Sequence, residues 1–444
     1  MSSFSTPEPP AVKQRPAVNA RDTYRKSQSN EKAGATADAA RDPITVLIVV
    51  PTLDGGAADA GALELVRILE NAGHHAIVAS RAGRLVADVT AAGAEFVPLD
   101  VGTNNPIVML RNAGVLNRLA RERQCDAIHA FGRAGAWSAY VAARLCAIPF
   151  VTSWYKGFRE QNILKRLYNG VMARGAKVIA VSDEIAQLIN DRYGTPWQRI
   201  AVVPCSIDFE RFDPRNVTSE RIKAVRRAWG VTPDTKVILI TGRILRRKGH
   251  HVVVKAIRRL KDLGLKNLGP KDFLCVFVGE DRGRTHYTGE LWDLVLATGT
   301  MDVIRIAPVT DMPAAYAAAC VVVSAAVQPE GVQRAILEAQ AMARPVIVSD
   351  FAAGADVVLA PPAVPEGRCT GFRFHSGDDA ALTAALLRLF SLEEPARNAI
   401  GLRGRDWVLG QFNAAGVAAQ TLRLYDEIAG RDKAPDLVPQ VRQN

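Results

Sequence analysis

The sequence predicts an α/β protein built from two doubly wound parallel sheets, and three observations carry that prediction. Short, continuous apolar segments alternate with helical patterns, which is typical of strands that are buried on both faces. The alternation occurs in two series that a polar stretch separates. The length of 444 residues also exceeds what a single ordinary core requires.

The first series begins at Ile44, where a polar segment gives way abruptly to the apolar sequence TVLIVV. The loop Asp54-Gly55-Gly56 and an amphipathic helix follow, so this is a βα unit. Six further strands are predicted, over residues 75–80, 95–99, 126–130, 150–153, 178–181 and 200–203.

The second series follows a charged segment, residues 208–235, that contains the turn signals Asp213-Pro214 and Pro233-Asp234. Its strands are predicted over residues 237–241, 273–278, 303–306, 321–323 and 346–348. We therefore expect a disordered tail over residues 1–42, a first Rossmann-like domain over 43–207, a second over 208–410, and a final helix and tail over 411–444. The last helices, from about residue 378 to 428, are expected to pack on the outside, and ligands are expected in the cleft between the domains.

Composition narrows the class of protein. A net charge of +11 and a pI near 9.5 favour an anionic partner, which includes nucleic acid, an acidic membrane surface and phosphorylated small molecules. No helix-turn-helix spacing, aromatic RNA-binding strand or zinc pattern supports nucleic acid. The six scattered cysteines indicate reduced thiols and a cytoplasmic protein. No apolar run reaches the roughly 18 residues of a membrane span, and no secretory signal is visible.

Two acidic residues stand at the end of a predicted strand in SAAVQPEGVQRAILEAQAMARPVIVSD, residues 324–350. Glu330 lies in a turn and Glu338 on the helix that follows. Ionised carboxylates accept hydrogen bonds from adjacent hydroxyls, and the helix start at Gly331-Val332-Gln333 offers backbone N–H groups. We therefore predict that this segment binds a polyol such as ribose; the alternative is a solvated turn and a surface helix.

A basic loop follows the first strand of the second series, between Gly242 and Gly249. Arg243 can clamp phosphate oxygens in a fork, and Lys248 can act as a point charge beside the helix that begins there. Alone, such a cluster is more often a solvated basic loop. Together with Glu330 and Glu338, it predicts a pocket for a nucleoside diphosphate that carries a sugar.

Several motifs resemble glycosyltransferase family 4, in particular its bacterial branch that builds lipopolysaccharide and other envelope glycans. They are the Glu-x7-Glu element followed by EAQAMARPVIVSD, the GRxxxxKG loop, VGEDRGRT, DMPAAY and NILKRLYNGVMARGAKVIAVSDEI. The similarity covers about residues 44–430. It implies the GT-B fold, in which two Rossmann-like domains face each other across a cleft, with the acceptor on the first and the nucleotide-sugar donor on the second.

The resemblance also implies roles for individual residues. Arg243 and Lys248 would bind the donor diphosphate, Glu330 the donor sugar together with Gly331, Val332 and Gln333, and Glu338 the ribose. The Gly55-Gly56 loop would lie near the diphosphate and the acceptor. Catalysis would retain the anomeric configuration, with Glu330, Arg243 and Lys248 as the catalytic residues, no metal, and no cofactor besides the donor.

The sequence departs from the family pattern at three loops. Tyr155 stands where such proteins commonly carry histidine, and Val332 and Gln333 replace a Phe-Gly pair. After the strand that ends at Asp350, Phe351-Ala352-Ala353-Gly354 replaces the usual Gly-Gly. Near the first departure, the acceptor-side candidates are His129, Arg133, Tyr155 and Lys156. His129 is equally consistent with a hydrogen-bonded histidine at a strand end.

The leading hypothesis is a retaining glycosyltransferase that moves a sugar from a nucleotide-diphosphate donor to a lipid-linked or lipopolysaccharide-type acceptor. Basic helices such as residues 111–123 would then contact the anionic inner face of the plasma membrane. The alternative is a catalytically impaired, glycosyltransferase-like binding or scaffold protein. A nucleotide-sugar epimerase fits the Glu-x7-Glu element less well.

Overall fold

The computed structural model describes seven stretches of the chain: residues 42–157, 162–263, 273–281, 285–308, 311–328, 333–351 and 357–430. From Ile44 onward the chain forms one compact unit. The predicted tail, residues 1–42, lies outside the described residues apart from Asp42.

The first sheet contains seven strands, all parallel, in the order β3-β2-β1-β4-β5-β6-β7. Its strands β1 to β7 are Thr45–Val49, His75–Ser80, Glu95–Pro98, Ala127–Ala130, Phe150–Trp154, Lys177–Ala180 and Ile200–Val202. The apolar side chains of β1 and β4 are fully covered because helices lie on both faces. The seven predicted strands of this half are confirmed.

The second sheet contains six parallel strands, in the order β10-β9-β8-β11-β12-β13. Its strands β8 to β13 are Lys236–Thr241, Phe273–Val278, Ile304–Ala307, Val321–Ser324, Val346–Ser349 and Gly371–Phe374. Five of them were predicted; β13 was not. The predicted architecture of two doubly wound, Rossmann-like parallel sheets is confirmed.

Helices connect successive strands and cover both sheets. In the first half they are α1 Ala57–Asn71, α2 Val86–Ala91, α3 Pro106–Glu122, α4 Arg133–Cys146, α5 Ile163–Asn169 and α6 Asp183–Tyr193. The others are α7 Ser219–Trp229, α8 His250–Asp262, α9 Thr285–Ala297, α10 Met312–Ala318, α11 Arg334–Ala341, α12 Asp379–Ser391, α13 Glu394–Gln411 and α14 Ala414–Ile428.

The last helix, α14, returns to the first sheet. Tyr425 is 1% exposed and belongs to the same apolar cluster as Ile48 and Leu65. Leu424 packs with Val151 and Ile179 on strands β5 and β6. The expectation that the final helices only pack on the outside is therefore wrong for α14, because its apolar positions complete the core of the first half.

Candidate functional site

The basic loop after β8 is folded tightly against its neighbours. Gly249 has a φ of +73° and begins α8, and a side chain there would place its Cβ 1.7 Å from the Ala325 carbonyl oxygen. The N–H of Val327 donates to the Arg247 carbonyl at 2.9 Å. Only glycine permits this conformation and this approach. The loop is thereby fixed at the carboxyl edge of the second sheet, beside the loop that follows β11.

Cations from both halves of the chain meet at this edge. The pKa of Lys156, which follows β5 in the first half, is lowered by burial and then by Arg247, Arg133 and Arg243. Like charges lower a lysine pKa in this way only at short range. The structure therefore brings two sequence-predicted residues of the first half, Arg133 and Lys156, together with Arg243 and Arg247 of the second.

Lys248 is the most enclosed member of this cation cluster, which comprises Arg133, Lys156, Arg243, Arg247 and Lys248. Burial lowers its pKa to about 7, with further contributions from Arg247 and Arg243. A half-buried cation whose pKa is lowered in this way gains from a bound anion, since the anion would stabilise its charged form. The cluster is therefore suited to a group that carries several negative oxygens, such as a diphosphate.

Gln333 holds Lys248 in place. The Lys248 Nζ donates to Gln333 Oε1 at 3.1 Å, and the Ser324 hydroxyl donates to the same oxygen at 2.8 Å. Gln333 is 7% exposed, and within the described residues its Nε2 has no hydrogen-bond partner. The preceding predicted residues Glu330, Gly331 and Val332 lie outside the described part of the chain, so the structure does not place them.

Glu338 lies on α11 near the carboxyl end of β8. The Tyr316 hydroxyl donates to its Oε2 at 2.9 Å and lies 3.4 Å from the Thr241 hydroxyl. Burial raises the pKa of Glu338, while Tyr316, Arg334 and Arg211 act in the opposite direction. Arg243, Lys248 and Glu338 thus share one sheet edge, although the cations nearest Glu338 are Arg334 and Arg211.

The glycine loop of the first half binds an acidic side chain of its own. The Oδ2 atom of Asp59, on α1, accepts hydrogen bonds from the backbone N–H groups of Asp54, Gly55 and Gly56 at 2.9 to 3.1 Å and from the Thr52 hydroxyl at 3.2 Å. Asp59 is 6% exposed. The Gly55-Gly56 amides are therefore engaged by Asp59, and any contribution of this loop to a ligand must come from other atoms.

His129 is a structural histidine in this fold. It is 1% exposed, its Nδ1 lies 2.6 Å from the Tyr425 hydroxyl, and its Nε2 lies 2.8 Å from the Ser153 hydroxyl. Burial lowers its pKa to about 3, so the ring is neutral at physiological pH. Its burial and its two hydrogen bonds fit the alternative interpretation, a hydrogen-bonded histidine at a strand end.

Tyr155 packs where the two halves of the chain approach each other. A Cβ at Gly61 would lie 1.7 Å from its hydroxyl, so the ring sits directly on α1. Burial raises the Tyr155 pKa, and its charged neighbours include Glu64 and Arg334. Glu64 Oε1 accepts from the N–H of Ser206 at 2.7 Å, and Arg334 donates to the Ser206 carbonyl at 3.2 Å.

A cavity of about 700 Å³ in the first half opens beside these residues. Arg133, Lys156 and Lys165 line it together with Tyr155 and Tyr168, and no acidic side chain of the described residues does. The Tyr168 hydroxyl donates to Asn104 Oδ1 at 2.7 Å. The cavity therefore presents cations and hydrogen-bonding groups next to the cation cluster, as an acceptor site would.

Sequence analysis missed several members of this site. Lys165 and Tyr168 occur in NILKRLYNG, which carried the family resemblance without singling out either residue. Arg247 lay in the basic loop but had no distinguishing spacing. Tyr316, in DMPAAY, contacts Glu338, and Ser324 contacts Gln333. Both contacts depend on where the side chains point in the folded chain.

No group of three or more His, Cys, Asp or Glu side chains within the described stretches is arranged to hold a metal ion. In the same stretches, no helix combines the length and apolar character needed to cross a bilayer. All six cysteines carry free thiols.

Two family models match the chain, one in each half. The model described as Glycosyltransferase Family 4 matches residues 58–211, and the model described as Glycosyl transferases group 1 matches residues 235–391. EpsF of Bacillus subtilis is 25% identical over 57% of this chain, and the chain spans 64% of the length of EpsF.

Solved structures share the fold. A glycosyltransferase from Rickettsia africae superposes with a TM-score of 0.77 at 26% identity, over 87% of this chain and 99% of that one. Anabaena Alr3699/HepE in complex with UDP-glucose gives a TM-score of 0.71 at 20% identity, over 86% of this chain and all of that one. Both sheets and the two family matches lead to one assignment: the chain belongs to the GT-B glycosyltransferases, with a family 4 match in its first half and a group 1 match in its second.

Proposed function

We propose that this chain is a retaining glycosyltransferase that transfers a hexose from a nucleotide-diphosphate donor to a lipid-linked or lipopolysaccharide-type acceptor. The observation that carries the proposal is the cation cluster, in which Arg133 and Lys156 of one half meet Arg243, Arg247 and Lys248 of the other. Such a cluster between two Rossmann-like sheets suits a ligand that bears a diphosphate.

The proposed chemistry follows from where the cations lie. The bond between the sugar C1 and the diphosphate oxygen breaks, and negative charge develops on the leaving diphosphate. Arg243 and Lys248 stabilise that charge, in the role that a divalent ion takes in other transferases. A bond forms between C1 and the acceptor oxygen on the same face, and the acceptor proton passes to the departing diphosphate.

Further residues have proposed binding roles. Glu330 is assigned to the donor sugar and Glu338 to the ribose hydroxyls. Support for the second role is the Tyr316 hydroxyl, which orients the Glu338 carboxylate at the sheet edge. The cavity lined by Arg133, Lys156 and Lys165 is the proposed acceptor site.

The proposal also places the chain in the cytoplasm, in peripheral contact with the inner face of the plasma membrane. Helix α3 supports such a contact, since Ile107 is 80% and Leu110 68% exposed. Arg111 and Arg118 are exposed on the same helix. Cations and apolar side chains together favour an anionic membrane surface.

The direct test is transfer of label from a panel of UDP- and GDP-sugars to membrane extract, with the anomeric configuration of the product determined by NMR. We expect one donor to be used and its configuration to be kept. Loss of transfer in Glu330→Ala, with nucleotide binding and folding intact, would support the assigned role of Glu330. An inverted product would contradict the retaining mechanism.

The second candidate is a binding or scaffold protein that holds a nucleotide without turning it over. It is favoured by Gln333, which already engages Lys248 at 3.1 Å. Calorimetry with UDP and GDP separates the two candidates when it is combined with the donor panel. Nucleotide binding without transfer from any donor would favour the scaffold.

A further inference from the structure

Within the described residues, the chain passes between its two halves at two points, which lie side by side. The first passage follows β7 and leads to α7, and the second joins α13 to α14, which packs on the first sheet. The N–H of Ile207 in the first passage donates to the Phe412 carbonyl in the second at 3.1 Å. Both residues are 3% exposed. The two passages thus form one buried junction.

One peptide group of this junction, at Ser206, is bound from both halves. Its N–H donates to Glu64 Oε1 on α1 at 2.7 Å, and its carbonyl accepts from Arg334 Nη2 at the start of α11 at 3.2 Å. All three residues are partly buried. Hydrogen bonds that involve a charged group are stronger than neutral ones. Glu64 and Arg334 therefore hold the junction to one helix of each half.

Helix α1 connects this peptide group to the acceptor side of the site. Gly61 and Glu64 lie three residues apart and therefore on one face of α1. Tyr155 packs against Gly61 so closely that a Cβ there would lie 1.7 Å from its hydroxyl. Lys156, the next residue, belongs to the cation cluster. The position of Lys156 is thus tied through α1 to Ser206.

Helix α11 makes the corresponding connection to the donor side. Arg334 follows Gln333, which accepts from Lys248 Nζ at 3.1 Å. Burial raises the pKa of Glu338, and Tyr316 and then Arg334, one turn earlier on α11, act against that rise. Connections from the two sides of the site therefore meet at a single peptide group of the junction.

We propose that Glu64 and Arg334 are positioning residues, which act through the Ser206 peptide to hold Lys156 of the first half in register with the donor site of the second. Neither side chain needs to touch the donor or the acceptor in this role. Groups that are held in the right geometry react far faster than groups that are slightly displaced. The inference rests on the proposed function, because it takes the cation cluster to be the site of transfer.

The first test separates transfer from nucleotide binding. Glu64→Met and Arg334→Met remove the acceptor and the donor at similar side-chain length. Each should lower kcat by at least about tenfold with the UDP- or GDP-sugar that the donor panel identifies. The affinity of Glu64→Met for UDP and GDP should stay within about twofold by calorimetry, because Glu64 is distant from the proposed donor site. An unchanged kcat, or an equal loss of nucleotide affinity in a folded Glu64→Met, would overturn the proposal.

Conservative variants test whether the two hydrogen bonds carry the effect. Glu64→Gln keeps an acceptor and Arg334→Lys keeps a donor, so each should recover most of the lost kcat. The double variant Glu64→Met/Arg334→Met should be no more than about twofold slower than the slower single variant, since both act on one peptide group. Conservative variants as slow as the methionine variants, or losses that multiply in the double variant, would contradict the shared role.

Small-angle X-ray scattering distinguishes this proposal from the proposed function, because it reports on the arrangement of the halves without any transfer. With and without UDP or GDP, both methionine variants should have a larger radius of gyration than the unchanged chain. The exposed controls Glu122→Met on α3 and Arg227→Met on α7 should leave the radius and kcat unchanged.

The scattering and transfer results can fail separately. Methionine variants with the radius of the unchanged chain would overturn this inference and leave the transfer reaction in place. An unchanged chain that uses no donor would contradict the proposed function, while larger radii in the variants would still support the hold of Glu64 and Arg334 on the junction.

Discussion

The two halves of the molecule each place a glycine-containing loop after a central strand of their sheet, and the two loops treat charge in opposite ways. After β1, three backbone N–H groups converge on the Asp59 carboxylate. After β8, the loop carries Arg243, Arg247 and Lys248, and Lys248 donates to the neutral Gln333 amide. The first loop directs its backbone N–H groups to a carboxylate of its own helix, whereas the second loop presents three cationic side chains at the sheet edge.

This difference explains how two halves of similar fold can have different roles, one structural and one in ligand binding. A loop whose amides are bound internally is a rigid structural element. A loop with a half-buried lysine, whose pKa is lowered to about 7, is suited to bind an anion. Under the proposed function the diphosphate is therefore expected in the second half, and the following changes test that expectation.

The largest effect is expected for Lys248→Met, which removes the most enclosed cation. Transfer should fall by about 100-fold, since a charge aimed at the leaving diphosphate acts mainly in the transition state. UDP or GDP binding should weaken by about tenfold. Initial transfer rates and calorimetry measure the two effects, with Lys255→Met on α8 as the matched control. Undiminished nucleotide binding in Lys248→Met would argue against the assigned role.

Gln333→Glu would make the second loop resemble the first, because it gives Lys248 an internal carboxylate. The new charge should pair with Lys248 and weaken nucleotide binding by about tenfold. Calorimetry provides the measurement, and Gln198→Glu, an exposed position in the first half, controls for net charge. If Gln333→Glu binds nucleotide as tightly as the unchanged chain, the result would contradict the role of Lys248 in nucleotide binding.

Asp59→Asn makes the converse change in the first loop. One neutral oxygen would replace the carboxylate that accepts four hydrogen bonds, so we expect the free energy of unfolding to fall by about 1–3 kcal/mol. Nucleotide affinity should stay the same. Urea denaturation and calorimetry test the two parts, with the exposed Asp88→Asn as the control. A marked loss of nucleotide binding without a loss of stability would place the ligand at the first loop instead.

The smallest expected effect is a dependence of nucleotide affinity on pH. Lys248 in the free protein loses its proton as the pH rises through about 7, and only the charged form attracts the diphosphate. Affinity should therefore decline a few-fold between about pH 7 and about pH 9, where the nucleotide phosphate itself is already ionised. Lys248→Arg, which keeps its charge over this range, should show a flatter profile. A profile equally steep in that variant would assign the pH dependence to another group.

The sequence predicted most of the fold because buried parallel strands leave continuous apolar segments. It missed β13, since Gly371–Phe374 contains Arg373 and follows a proline-rich stretch. The return of α14 to the first sheet was also missed. It depends on Tyr425 meeting His129 across 296 residues, and no local pattern records such a contact.

Within the candidate site, sequence motifs identified Arg243, Lys248 and Glu338 because these residues carry charge at strand ends. They did not identify the Asp59 carboxylate behind the first loop or the contact between Gln333 and Lys248. Both depend on where side chains point once the backbone is folded. The meeting of Arg133 and Lys156 with the second-half cations likewise requires the arrangement of the two sheets.

The most direct test of the central claim is a calorimetric comparison of UDP and GDP with uridine and guanosine. If the cation cluster contacts the diphosphate, as proposed, one nucleoside diphosphate should bind at least about 100-fold more tightly than its nucleoside, a difference of about 2.7 kcal/mol. About half of that difference in free energy should disappear in Lys248→Met, in line with the tenfold loss of affinity expected for that variant. A nucleoside that binds as tightly as its diphosphate would contradict the claim that this cation cluster binds the donor diphosphate.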